Sequence, residues 1–232
     1  MVIASGETAI VIGATGGIGA ALVAALEADG TRVHAFARGN GNPIDILDEA
    51  SVAAAAARVA DGPPPRLVIV ATGMLHEPGI MPERSLRDLD TDRLARSYAV
   101  NAIGPALVAK HFLPLLPRDG RSVFAALGAR VGSIGDNRLG GWTGYRMAKA
   151  ALAMLIRNLA IETTRRAPGA ICVALHPGTV ETGLSLPFRR NLAEGQLTAP
   201  ADAAANLLRV IAALTPADSG NVLAWDGQTV AP

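Results

Sequence analysis

Tyr145 and Lys149 stand four residues apart, the spacing that puts two side chains on one face of an α-helix. A phenol beside an ammonium is a proton donor whose ionised form the cation stabilises. About 130 residues earlier, Gly13-Ala-Thr-Gly16-Gly17-Ile18-Gly19 follows an apolar run and opens a helical pattern. Glycines there let a turn reverse, let the backbone approach a pyrophosphate without a Cβ in the way, and let helix pack on strand, while the helix start faces the phosphate. Each signal alone has a plainer reading: glycines make ordinary tight turns, and Tyr-x-x-x-Lys is a common surface pair. Together they point to hydride chemistry on a nicotinamide dinucleotide, with the phenol returning a proton to the alkoxide that hydride transfer leaves.

The elements that must position these residues follow from alternating short apolar runs and longer helical patterns, which predict a parallel sheet covered by helices on both faces. Strands are expected at Thr8 to Ile12, Thr31 to Ala37, Pro43 to Ile46, Arg66 to Ala71, Ser122 to Leu127, Ala170 to Leu175 and Asn221 to Trp225. Helices are expected at Ile18 to Ala28, Asp48 to Ala60, Thr91 to Leu116 with a kink at Gly104-Pro105, Gly144 to Arg166, and Ala201 to Leu214. The fold class is therefore α/β, a single-domain Rossmann fold over residues 1 to 232 with a doubly wound parallel sheet of about seven strands.

Composition removes other classes. The formal charge is +1, from 21 basic and 20 acidic residues spread along the chain, with no basic block to neutralise a run of phosphates, so no nucleic-acid partner is expected. No apolar stretch of membrane-spanning length and no signal-type start occur, so neither a membrane partner nor export is expected, and the cytoplasm is the expected location. Cys172 is the lone cysteine and lies in an apolar run, which reads as a buried reduced thiol; neither a disulfide nor a cysteine-based metal site can form within one chain, and no metal is expected. Aromatic residues make up only 3% of a chain that is 50% hydrophobic, so the core must be built from Ala, Val, Leu and Ile, with closely spaced layers.

The form Gly-x-x-x-Gly-x-Gly, with Tyr145 and Lys149 in a helix after the Ser122 to Leu127 strand, resembles the short-chain dehydrogenase/reductase family, classical type, over essentially the whole chain. The stretch Gly132-Ser133-Ile134 through Gly144-Tyr145-Arg146 resembles its branch of C-factor-like and sniffer-like carbonyl reductases. The resemblance implies Tyr145 as acid, Lys149 lowering its pKa and holding the nicotinamide ribose, and Asn101 holding a water that relays protons, with a kink-stabilising side chain as the plainer and compatible reading of Asn101. The cofactor would lie along Gly13, Thr15, Gly16, Gly17, Ile18 and Gly19, then Arg38, Asp45 and Ile46, then Ala71, Thr72 and Gly73. Tyr145, Lys149, Pro177, Gly178, Val180 and Thr182 complete its expected seat. Asp45 reads equally as a turn or cap residue. Arg38 stands where an acid would grip the ribose of NAD, so NADP is expected over NAD.

The family's substrate-orienting serine has no direct match: Leu127-Gly128-Ala129-Arg130 carries no hydroxyl. Ser133, twelve residues before Tyr145, is the candidate if its loop folds inward; otherwise it caps a turn. His176 reads as a strand-end residue. The expected substrate is a small carbonyl or alcohol, bordered by Asp136 to Gly144 and Gly183 to Leu197, with Leu184, Leu186, Pro187 and Phe188 as an apolar lid. Arg189 and Arg190 attract a carboxylate or face water, and Trp142 walls the pocket or packs on a helix. Assembly as a homodimer or homotetramer is expected through Ala95, Ala99, Ile103, Leu107 and the helix from Leu152 to Leu159. A catalytically weak NADP(H)-binding regulatory or signalling protein is the alternative.

Overall fold

The computed structural model describes residues 2 to 191 and 195 to 232. Six parallel strands form the main sheet in the order β2 (Arg32–Phe36), β1 (Thr8–Ile12), β3 (Pro65–Val70), β4 (Ser122–Leu127), β5 (Ala170–His176) and β8 (Val222–Ala224). Two residues each of β6 (Thr179–Val180) and β7 (Leu197–Thr198) pair separately. Side chains alternate across the sheet, as a pleated strand requires. Ile10, Val70, Ala126 and Ala174 join one core with α2 (Glu49–Ala60), α4 (Gly104–Phe112) and α5 (Thr143–Thr164). Val11, Ile69, Ala125 and Val173 join another with α1 (Gly17–Ala28) and α6 (Pro200–Ala213). Aliphatic side chains seal both faces, but Phe36, Phe112 and Phe124 are also fully buried on the first, beyond the expected Ala, Val, Leu and Ile; each large side chain contributes about 1.5 to 3 kcal/mol on full burial.

The main sheet has six strands where about seven were expected, because Pro43 to Ile46 is not a strand. Its hydrogen-bonding groups go elsewhere: Pro43 has no N–H, Ile44 N donates to Ala37 O at 3.3 Å, and Asp45 N donates to Ser51 Oγ at 2.9 Å. The segment closes the loop after β2 and leads into α2, which Asp48 caps by accepting from Ala50 N.

The long helix also differs from a simple kink. It runs as α3 (Thr91–Tyr98), a π-helical turn (Ala99–Ile103), α4, and a final 3-10 turn (Leu113–Leu115). Pro105 brings no N–H to the carbonyl of Asn101, and Gly104 N donates one residue further back, to Ala99 O. Gly104 is needed because a Cβ there would lie 2.6 Å from the Ile46 side chain. The inserted residue turns Asn101 fully inward. No described helix is long and apolar enough to cross a membrane.

Candidate active site

The order β2, β1, β3 places successive strands on opposite sides of β1, and a crevice opens at the carboxyl ends of the strands there. Gly13, at φ +91°, begins the turn; a Cβ on it would lie 3.0 Å from the Ala71 carbonyl group. A Cβ on Gly19 would lie 2.1 Å from Gly13 O, so the turn closes only on glycine. Gly16 caps α1 without a side-chain hydrogen bond, leaving the first N–H groups of the helix facing the crevice.

Two cavities meet here, sharing Gly16, Ala71, Thr72, Gly73, Leu75, Gly183 and Leu184. The first, of about 700 Å³, runs from Gly13 and Thr15 past Arg38, Asp45 and Ile46. Arg38 is exposed and makes no ion pair or hydrogen bond among the described residues. Asp45 Oδ1 accepts from Leu47 N at 3.0 Å, the turn role considered for it. The second cavity, of about 440 Å³, takes in Gly17, Ile18, Tyr145, Lys149, Pro177, Gly178, Val180 and Thr182. Apart from Gly19, which packs inside the turn, every residue expected to seat the cofactor lines one cavity or the other. The unpartnered guanidinium, the glycine-only turn and the open helix start fit a dinucleotide with an extra phosphate on its adenosine end.

Lys149 is 4% exposed and its Nζ donates to Leu127 O at 2.7 Å. It lies 5.6 Å from the centroid of the Tyr145 ring. The ammonium beside the phenol does not outweigh burial in this cleft. Burial dominates, pushing the Tyr145 phenol up and the Lys149 ammonium down to about 8. Asn101 lies behind the cavity: its Nδ2 donates to Met74 O at 2.8 Å and Ser97 O at 3.0 Å, and its Oδ1 accepts from Met74 N at 3.1 Å. A Cβ on Gly73 would lie 3.5 Å from Asn101 Oδ1 and 3.8 Å from Lys149 Nζ, so the asparagine fixes the loop bordering the lysine.

Ser133 is not brought to this cavity. Its hydroxyl accepts from Asp136 N at 3.0 Å and donates to Pro232 O at 3.4 Å, the turn-capping arrangement. The cavity wall at that side is Gly128 and Ala129. The mouth is aromatic: Phe188 packs on Trp142 with ring centroids 5.0 Å apart and on His76 at 5.9 Å. Leu184 lines the cavity, whereas Leu186 is 62% exposed. Residues 192 to 194 of the expected Gly183 to Leu197 border lie outside the described residues. Arg189 is committed to Glu181 at 3.1 Å and Thr182 O at 2.9 Å, and Arg190 is exposed.

Glu83 was not singled out from the sequence. It is 6% exposed, accepts from Gly144 N at 3.1 Å through Oε2, and its backbone carbonyl accepts from Trp142 N. A carboxylate at the start of α5 suits the positive helix end, and it holds the turn just ahead of Tyr145. Trp142 there takes φ 51° and ψ 38°, the single non-glycine at positive φ among the described residues. A lone acid in a loop gives no sequence signal for such a contact.

A family model described as enoyl-(acyl carrier protein) reductase matches residues 39 to 225. C-signal of Myxococcus xanthus is 37% identical over 146 residues, 63% of this chain and 82% of that protein. The 1-hydroxy-2-glutathionyl-2-methyl-3-butene dehydrogenase of Rhodococcus sp. (strain AD45) is 32% identical over 232 residues, 95% of this chain and 97% of that protein. The NADPH-bound carbonyl reductase from chicken fatty liver superposes with a TM-score of 0.83 at 25% identity, covering 99% of this chain and 96% of that one.

Proposed function

The chain belongs to the short-chain dehydrogenase/reductase family, and we propose that it is an NADP(H)-dependent oxidoreductase interconverting a carbonyl and an alcohol in one domain. The observation that carries this reading is the presence of Tyr145 and Lys149 in a cavity continuous with the glycine turn and with the unpaired Arg38. Gly13 to Gly19, Arg38 and Thr182 would hold the cofactor, and the NADPH-bound chicken enzyme supports NADP over NAD. When bound, NADPH supplies the hydride that reduces the carbonyl carbon.

The chain's own residues do the rest. Burial keeps Tyr145 a neutral phenol, the form that can give a proton. The phenol hydrogen passes to the substrate oxygen, the alcohol leaves, and the phenolate recovers a proton from water. Lys149 beside the ring stabilises that transient phenolate. The Phe188 and Trp142 rings favour an apolar substrate and exclude water around it. With Arg189 already paired and Arg190 turned to solvent, an uncharged carbonyl compound fits better than a carboxylate. A cytoplasmic setting suits the buried thiol of Cys172, which burial raises to about 11. Self-association as a homodimer or homotetramer completes the reading.

The test is carbonyl-dependent oxidation of NADPH over a panel of aldehydes and ketones. Tyr145→Phe is expected to lower kcat by about 10²-fold or more, with NADPH affinity unchanged. Turnover that survives the change, or a failure to bind either nicotinamide dinucleotide, sinks the reading. The hydroxyl-free Gly128-Ala129 wall and the similarity to C-signal favour one alternative, a cofactor-binding regulatory protein. NADPH binding without turnover across the panel would select it.

A further inference from the structure

When a carbonyl carbon receives a hydride, negative charge develops on its oxygen, which needs hydrogen-bond donors aimed at it. Two side-chain donors around this cavity are already committed. Lys149 Nζ is spent on Leu127 O, and Ser185 Oγ on Val180 O at 2.6 Å. Ser133 faces Pro232, and the Ala129 side chain has no donor.

His176 is different. It lines the cavity at the last position of β5, and no hydrogen bond to its ring is formed by the described residues. Strand alternation sets its direction. Val70, Ala126 and Ala174 pair in register across β3, β4 and β5 and point to the core shared with α5. Two residues further on, the same row continues as Thr72, Gly128 and His176, so the imidazole lies on the side of the sheet covered by the helix of Tyr145 and Lys149. The connection to Lys149 is short: Lys149 Nζ donates to Leu127 O, and the next residue, Gly128, donates its N–H to Leu175 O at 2.8 Å. Thr72 Oγ1, the other polar atom of the row, is also without a partner, but Thr72 is shared with the Arg38 cavity whereas His176 lines only the cavity of Tyr145.

We propose that His176 is a substrate-contacting catalytic residue, a neutral imidazole whose Nε2–H hydrogen-bonds the carbonyl oxygen opposite the Tyr145 phenol. This rests on the carbonyl reductase reading above. Nδ1 is the enclosed nitrogen and has no partner, so the ring keeps its proton on Nε2, where a substrate oxygen can accept it. Burial, reinforced by Arg130, holds the imidazole pKa down to about 4 against the smaller opposing pull of Asp226. The ring is therefore neutral through physiological pH and donates without itself giving up a proton. Charge balance at the oxygen is unaffected: the proton that completes the alcohol still comes from Tyr145.

The test compares His176→Phe, which keeps a ring, with His176→Gln, which keeps an N–H at similar reach. The probe is 4-nitrobenzaldehyde within a panel of neutral aryl aldehydes and ketones, with NADPH saturating. The phenylalanine variant is expected to lose about 10²-fold in kcat with little change in KM, since the bond strengthens as charge develops. The glutamine variant is expected to stay within about 10-fold of the parent, and NADPH affinity, read from cofactor fluorescence, to be unchanged in both. Nitrogen-15 NMR of histidine-labelled protein reads the tautomer without turnover: Nε2–H at pH 7 is expected. Full activity in His176→Phe, equal losses in both variants, or an Nδ1–H or charged ring at pH 7 overturns the assignment. A parent protein that binds NADPH but reduces nothing in the panel instead removes the function on which it rests.

Discussion

Burial sets the protonation of both groups at the centre of the cleft, and in opposite directions. The phenol is held protonated, as a proton donor must be, while the ammonium is easier to lose than an exposed lysine. Lys149 titrates at about 8 in the free protein, so raising the pH through that value removes its charge and its help to the phenolate. We expect kcat/KM for carbonyl reduction, which reports groups of the free enzyme, to fall with a one-proton slope above about pH 8. In Lys149→Arg, whose guanidinium stays charged, that limb should vanish even though activity is lower throughout. A parent profile flat to pH 9.5 contradicts this role. At this scale the sequence exposed Tyr145 and Lys149 because helical spacing is local information. The orientation of the Ser133 hydroxyl was hidden, since it depends on Pro232 arriving from the other end of the chain. His176 was passed over for a similar reason: its cavity is assembled from neighbouring strands and loops.

The helix from Thr91 onward shows how an element gains a shape that its own periodicity does not contain. Pro105 removes one donor, Ile46 presses against Gly104, and the chain answers with a π-helical turn that buries Asn101. Only the proline and glycine are visible in the local sequence; the Ile46 contact comes from a loop far earlier. The same loop defeated the expected strand at Pro43 to Ile46, where apolar alternation was real but the N–H groups were taken by Ala37 O and Ser51 Oγ. Asn101 ties the turn to Met74 through an accepted and a donated hydrogen bond. Asn101→Ala should therefore strand the Met74 N–H and two carbonyls in a buried place, costing about 2 to 4 kcal/mol. Urea unfolding measures it; a loss below about 0.5 kcal/mol would make the asparagine a bystander. Because Gly73 sits between Asn101 and Lys149, the same variant should also weaken NADPH binding.

At the scale of the whole molecule, the parallel sheet and its two helical layers were readable because each strand is an apolar run and each helix an amphipathic one. The surface was less so, since sequence alone does not say which apolar face of a helix is spent on the core. Leu152 and Ile156 of α5 are spent there, at 1% and 0% exposure, and so cannot form the expected contact between copies. Another stripe of the same helix is free: Met147, Met154 and Ile161 are 52%, 61% and 51% exposed at seven-residue intervals, which places them nearly in line. Tyr98 and Ile103, 40% and 47% exposed, extend apolar surface from α3 and the π-turn, elements that pack against α5. Exposed apolar side chains gathered in this way, on the helix that carries Tyr145 and its neighbours, would be covered by a second copy meeting them through a two-fold axis. Light scattering at about 10 µM, a concentration suited to an interface of standard size, should give a dimer or tetramer for the parent chain. Met154→Lys with Ile161→Lys places like charges across that axis and should give a monomer, with NADPH affinity retained because neither residue lines the crevice. A parent chain that is monomeric at that concentration, or a double variant that stays associated, would move the interface off α5.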